Sequence, residues 1–299
     1  MTAPIILFAY KRADTFQRTI AALQANHLAA QSDLHIFVDG PRTAVDQPKV
    51  AAVQALARQV TGFRSLTLHF SEANCGCAQS IINGVSLILR DHLTAIIVED
   101  DIVTAPNFLD FINQGLVTYR DSPRVFSVGG YTFPFRKPAD YQDDVYFFGR
   151  TCAWGWGIWA DRWFKADWNV MDFPQFMADS GARRAFNYYG SDRVRMLRRT
   201  IQGDIDTWDI RLCYALYKQQ GLTVYPTVSK TTNIGFGGGD GMHANVYDRY
   251  KTTLDTGEQR QFRMPGQAFE SPYYTQQVRH QFSLTIRLYN RLKTMAGVR

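Results

Sequence analysis

Cysteine is scarce in this chain of 299 residues, and the four that occur, Cys75, Cys77, Cys152 and Cys213, form no framework. The Cys-Gly-Cys pair is too close for a strain-free disulfide and lacks a second pair at zinc spacing, so reduced thiols in a cytosolic protein are the simplest account. Long apolar runs are missing too. Nothing approaches the roughly 20 residues that a bilayer-spanning helix needs. Ile5–Ala9 is short and has no basic residue before it, so no secretory signal is read there. No internal repeat or low-complexity linker is found. Basic residues form no stripe interleaved with aromatics, which argues against a nucleic-acid partner.

What is present suits a globular α/β chain. Hydrophobic residues make up 45% and charged residues 20%, enough for a real core and against wholesale disorder. The net charge of +6 fits an anionic substrate or an anionic membrane surface. Part of the excess lies in residues 276–299, which carry five Lys/Arg and no acid. Trp154, Trp156, Trp159, Trp163 and Trp168 crowd one segment, where rings either build a core or floor a sugar site.

Apolar runs alternate with helical patterns through the first half. Pro4–Ala9, Leu34–Val38, Leu66–Phe70, Ala95–Val98 and Val125–Val128 read as strands. Ala13–Asn26, Pro48–Gln59, Ala78–Leu89 and Pro106–Tyr119 read as helices. That order predicts a Rossmann-like, mostly parallel central sheet flanked by helices, with ligands beyond the carboxyl ends of its strands. The second half reads as irregular. It has a loop and hairpin over 132–150, short helices at 173–186 and 192–201, a helix Trp208–Gln219 and a strand Thr223–Val228. A final helix, Gln276–Met295, places Phe282, Ile286, Tyr289 and Leu292 on one face. With its basic residues it suits either an anionic membrane or packing on the domain. We divide the chain into 1–130, 131–250 and a C-terminal extension, 251–299.

Glu99-Asp100-Asp101 closes the strand Ala95–Val98. Three acids there repel one another unless a cation or strong donors neutralise them. A hard ion such as Mn²⁺ or Mg²⁺ does so with one or two carboxylates, while substrate phosphates complete its shell. A solvated acidic turn is the bland alternative. Asp39, at the end of the second strand, suits either a ribose contact or an Asp-Gly turn, and Lys11 and Arg12 either face a nucleotide or are surface charge. Asp204, Asp206 and Asp209 surround Trp208 at a helix start, where capping explains some acids and a transferase needs one general base. Gly235, Gly237, Gly238, Gly239 and Gly241 precede His243 in a loop with no dinucleotide fingerprint; it reads as a lid or a surface loop.

Together these blocks resemble the N-acetylglucosaminyltransferase I family of inverting enzymes with the GT-A fold. Ala95–Phe111, AIIVEDDIVTAPNFLDF, is similar to that family's acidic metal motif. Pro4–Arg12, Phe37–Gly40, Cys152–Trp159, Thr207–Asp209 and Val228–His243 resemble its other blocks in the same order, in islands over about residues 4–250. The resemblance implies Asp101 as metal ligand and His243 at the diphosphate or metal. It implies donor contacts from Arg12, Asp39, Glu99, Asp100 and Trp208, and Trp154 and Trp156 beside the sugars. Asp209 is implied as the base. The donor is then a UDP-sugar and the acceptor a glycan or lipid-linked saccharide, in a cytoplasmic enzyme of bacterial surface-polysaccharide synthesis, peripheral at the inner membrane face. The chain lacks the membrane anchor and stem of eukaryotic members. Two rivals stand beside this reading. A nucleotidyltransferase would carry a glycine- and Lys/Arg-rich loop after the first strand, where Tyr10–Asp14 has no glycine. A noncatalytic carbohydrate-binding protein would use the tryptophans alone.

Overall fold

Ile5–Ala9 (β1), Asp33–Val38 (β2), Ser65–Phe70 (β3) and Thr94–Glu99 (β4) are the parallel strands that the apolar runs predict. A computed structural model gives the fold and describes residues 2–236 and 247–296. β1 and β4 are buried along almost their whole length, as strands covered on both faces must be. The helices Ala13–Gln24 (α1), Gln47–Arg58 (α2) and Cys77–Leu89 (α3) connect them. Each turns its apolar stripe to the sheet: Phe16, Ile20 and Leu23 on α1, Val50, Val53 and Ala57 on α2, Ile81, Val85 and Ile88 on α3.

Ile102–Thr104 (β5) follows the acidic triplet, then Phe108–Thr118 (α4) and Val125–Gly129 (β6). Val145–Phe148 (β7), Trp156–Trp159 (β8) and Leu222–Pro226 (β9) complete an eight-stranded sheet in the order β3-β2-β1-β4-β8-β6-β9-β7. Only β8 and β7 run against the other strands. The sheet is therefore mixed but mostly parallel. The chain leaves β1 toward β2 and β3, then returns to the other side of β1 as β4. The topological switch point lies between β1 and β4, and the crevice it opens is where such sheets bind ligands. A separate two-stranded ribbon pairs β5 with Thr231–Asn233 (β10).

Ala160–Trp163 (α5), Phe173–Ala178 (α6), Ser180–Phe186 (α7), Arg193–Ile201 (α8) and Asp209–Lys218 (α9) form the irregular half. The structure corrects three local readings there. The region 132–150 holds a strand whose partner is the distant β9, not a local hairpin. Part of the tryptophan cluster is itself a central strand, with Trp156 and Trp159 buried. The expected final helix is two helices, Pro272–Gln281 (α10) and Leu284–Met295 (α11). They break at Phe282, which is buried under the Arg150 guanidinium at 3.9 Å from its ring, and at Ser283, whose Oγ accepts the Ile286 N–H. Phe282 therefore shares no face with Tyr289 and Leu292, which are exposed. Between β10 and α10 the chain wraps α4: Gln114 exchanges hydrogen bonds with Phe262, and the buried Lys230 pairs with Asp255.

Candidate active site at the sheet switch point

The ends of β1 and β4 place Arg12 against the acidic triplet. Its guanidinium donates to Asp101 Oδ2 at 3.0 Å and, through the other nitrogen, to Asp100 Oδ1. Arg12 offsets charge that the three acids could not otherwise hold together. Asp100 is 3% exposed, and its Oδ2 has no partner among the described residues. Burial lifts its carboxyl to about 6 even though Arg12 pulls the other way. Glu99 rises further, to about 8, first through burial and then through the charges of Asp101, Asp100 and, more weakly, Asp209. Asp209, from the start of α9, thus lies within electrostatic reach of β4's acids although 110 residues separate it from Glu99 in the chain. Thr207 Oγ1 donates to Asp209 Oδ1 and fixes that carboxylate.

The turn before α3 closes the same site. Gly76 has φ +81, and a Cβ there would stand 2.7 Å from Asp206 Oδ2, so glycine answers both the backbone and the contact. Asp206 accepts the N–H groups of Cys77 at 2.8 Å and Ala78 at 3.3 Å, capping α3 from another part of the chain. The Cys77 thiol marks the convergence. Its pKa is pushed up by surrounding protein and then by Glu99, Asp206, Asp209 and Asp100 together. On the other flank, β10 leads into Gly235, where an added Cβ would lie 2.4 Å from Asp101 Oδ2; the Ile234 N–H donates to the Asp101 carbonyl at 2.8 Å.

Several expected residues sit differently. Asp39 Oδ1 accepts from the N–H groups of Gly40 and Cys75, both at 2.9 Å, and Oδ2 from Asn74 Nδ2 at 2.9 Å and the Gly76 N–H at 3.1 Å. Its acceptor positions are spent on the turn before α3, so a ribose contact would have to displace one of them. Arg12 faces the acids, and Lys11 pairs with Asp46 at 2.8 Å. Trp156 and Trp208, both expected beside the sugar, stack on each other at 5.2 Å and are 1% and 3% exposed. Trp154 is half-buried against Tyr131, Phe236 and Tyr250. His243 and the glycines 237, 238, 239 and 241 lie outside the described residues. Thr207, Asp206's partners and Gly235 were not singled out by the sequence for these roles, because their contacts cross more than a hundred residues or join side chains in a turn.

The acids fit a hard divalent cation of one kind only. Among the described residues no three His, Cys, Asp or Glu side chains stand close enough to cage an ion unaided. The strand-end carboxylates, with Asp100 Oδ2 orphaned and buried, have the chemistry to give the one or two oxygens that an ion shared with substrate phosphates would take from protein.

No family model matches the chain, and no curated protein matches it. Among solved structures it is similar to S. aureus TarS, with 8% identity and a TM-score of 0.44 over 77% of this chain and 36% of that one. It is similar also to the galactosyltransferase LgtC in complex with donor and acceptor sugar analogues, with 12% identity and a TM-score of 0.38 over 74% and 72%. A third is the mannosyltransferase PcManGT from Pyrobaculum calidifontis in complex with GDP-Man and Mn²⁺, with 11% identity and a TM-score of 0.33 over 53% and 45%. The chain spans about a third of the length of TarS. All three TM-scores are below 0.5, too remote to assign a reaction or a residue's role to this chain.

Proposed function

We propose that the chain is a divalent-metal-dependent, inverting glycosyltransferase with the GT-A fold, moving a sugar from a UDP-sugar to a hydroxyl of a glycan or lipid-linked acceptor in bacterial surface-polysaccharide synthesis. What supports this is the buried acidic triplet Glu99–Asp101 at the end of β4, with Arg12 against it and the Asp209 charge contributing to the raised pKa values of Glu99 and Cys77. Two strand-end acids alone would serve many phosphate enzymes. A separate carboxylate to take the acceptor's proton is what hydroxyl transfer adds, and Asp209, bonded by Thr207, is the one we assign.

In this reading Asp101 holds the cation, which when bound stabilises negative charge on the leaving diphosphate. The acceptor oxygen attacks the anomeric carbon as the bond from that carbon to the diphosphate oxygen breaks. Asp209 takes the hydroxyl proton, a contribution of about 10²–10⁴-fold. Thr207 holds the carboxylate in place, and Arg12 balances Asp100 and Asp101. His243 is assigned to the diphosphate or the metal by the family resemblance alone. We assign Trp154, which is half-buried, to the sugar side.

A thermal-shift panel of nucleotide sugars with and without Mn²⁺, followed by turnover of whichever stabilises the protein, tests the proposal. Metal-dependent stabilisation by a UDP-sugar and release of UDP are expected. If no nucleotide sugar is bound or consumed under either condition, the reading fails.

A further inference from the structure

The last described helix is turned inside out. α11 has no buried residue. Leu284, Leu288, Leu292 and Met295 recur at helical spacing and are 60%, 52%, 63% and 75% exposed, with Tyr289 beside them at 55%. The side that meets the protein is the more polar one. Thr294 Oγ1 accepts the Tyr247 N–H at 3.1 Å, Lys293 donates to the Tyr247 hydroxyl at 3.3 Å, and Arg287 donates to Ser191 Oγ at 3.0 Å. An amphipathic helix that packs for stability does the opposite, because exposed leucines forfeit the burial that would stabilise them. Such a stripe marks a surface that something apolar covers.

Charge selects the cover. From Ser271 to the end of the chain there are five basic residues, Arg279, Arg287, Arg291, Lys293 and Arg299, and no Asp or Glu. Arg291 is exposed beside the leucine stripe. A water-filled interface with a protein would ordinarily mix signs. A leucine face with the exposed Arg291 beside it, in a segment whose charged side chains are all basic, matches the acyl boundary and headgroups of an anionic bilayer, into which such helices sink by roughly 5–10 Å. No helix among the described residues is long and apolar enough to cross a membrane, so contact from this helix would be lateral.

We propose that α11 lies in the interface of an anionic lipid membrane, with Leu284, Leu288, Leu292 and Met295 inserted and Arg291 against phosphate headgroups. This does not depend on the proposed reaction. The test is co-sedimentation of the full chain with phosphatidylcholine vesicles made with and without phosphatidylglycerol, over a salt series. Wild type is expected to pellet with the anionic vesicles, less so as salt rises, and to remain in solution with the neutral ones. The Leu288→Glu/Leu292→Glu variant, both sites being exposed, should keep the wild-type circular dichroism and lose binding at least about ten-fold. Arg291→Gln should lose about five-fold. Failure of wild type to pellet with anionic vesicles, or undiminished pelleting of the double variant, overturns the proposal. So does sedimentation velocity without lipid in which wild type is a dimer and the double variant a monomer, since the stripe would then cover a second copy.

Discussion

Asp39 and Asp206 divide four consecutive backbone N–H groups between them: Cys75 and Gly76 donate to Asp39, Cys77 and Ala78 to Asp206. Two carboxylates from opposite halves of the chain thus grip the turn that opens α3 beside the acidic triplet. Removing Asp206 leaves two N–H groups to water, a capping loss of about 1 kcal/mol. Asp39→Ala strips a half-buried turn of its main acceptor and should cost more, about 1.5–3 kcal/mol. Urea denaturation reads both. If Asp39→Ala left stability unchanged and raised only the donor KM, the residue would be a ribose ligand rather than a turn anchor.

Thr207 and Asp209 give a second prediction, which rests on the proposed reaction. Thr207→Val keeps the shape and removes the hydroxyl that donates to Asp209 Oδ1. A hydrogen bond to a charged group contributes about 1.5–3 kcal/mol, so kcat should fall by roughly ten-fold or more while donor KM stays. A change confined to KM would mean that Thr207 touches substrate and does not orient the base.

The buried pair Arg150–Asp192 predicts a stability effect far from the crevice. Its two hydrogen bonds, 2.9 and 2.7 Å, tie β7's end to the turn before α8, and Arg150 also covers Phe282. Arg150 holds the Asp192 carboxyl down at about 2 against burial, so the pair's contribution is full above the ordinary value of 3.8 and is lost as the pH falls from there through about 2. Asp192→Ala strands a buried cation and should cost about 3–5 kcal/mol by chemical denaturation, whereas replacing both residues with apolar ones should cost less. Equal losses in the two variants would show that packing, not charge, is lost.

His35 and His69 should make stability fall in mild acid. His35 Nδ1 lies 3.3 Å from His69 Nε2, and the His92 ring meets His35 edge-on at 6.4 Å. Burial lowers the pKa of both His35 and His69, and for His35 the neighbouring histidines add to it. The folded chain therefore resists protons that the unfolded chain accepts near its ordinary value of about 6.5. The benefit is complete above that pH and is lost as the pH falls below it. His35→Phe, which keeps a ring against His69, should flatten the loss of melting temperature between about pH 7 and pH 5. A slope identical to wild type would remove the histidines from the account.

How far the sequence reveals this molecule depends on contact range. β1 to β4 and α1 to α4 were legible because each carries its own periodicity, and Glu99–Asp101 stood out because acids close a buried strand. β5 and β10 were not, since each is three residues long and pairs only with the other. β8 was hidden because Trp156-Gly157-Ile158-Trp159 is apolar on both faces, which a strand buried in mid-sheet allows and a sugar platform also suggests. The break at Phe282–Ser283 was missed for a related reason: an apolar residue followed by a cap continues the helical pattern until tertiary packing on Arg150 claims the side chain. Asp206 and Thr207 had visible identities but invisible partners.

The proposed reaction divides labour between Asp101, which would hold donor through a cation, and Asp209, which would take the acceptor's proton. Titration calorimetry of UDP-sugar with and without Mn²⁺, run beside transfer assays on Asp101→Ala and Asp209→Asn, measures both halves at once. Asp209→Asn should bind donor as wild type does in Mn²⁺ and transfer at least about 10²-fold more slowly, while Asp101→Ala should lose the metal-dependent part of binding. Full transfer by Asp209→Asn, or metal-dependent donor binding undiminished in Asp101→Ala, would contradict the account.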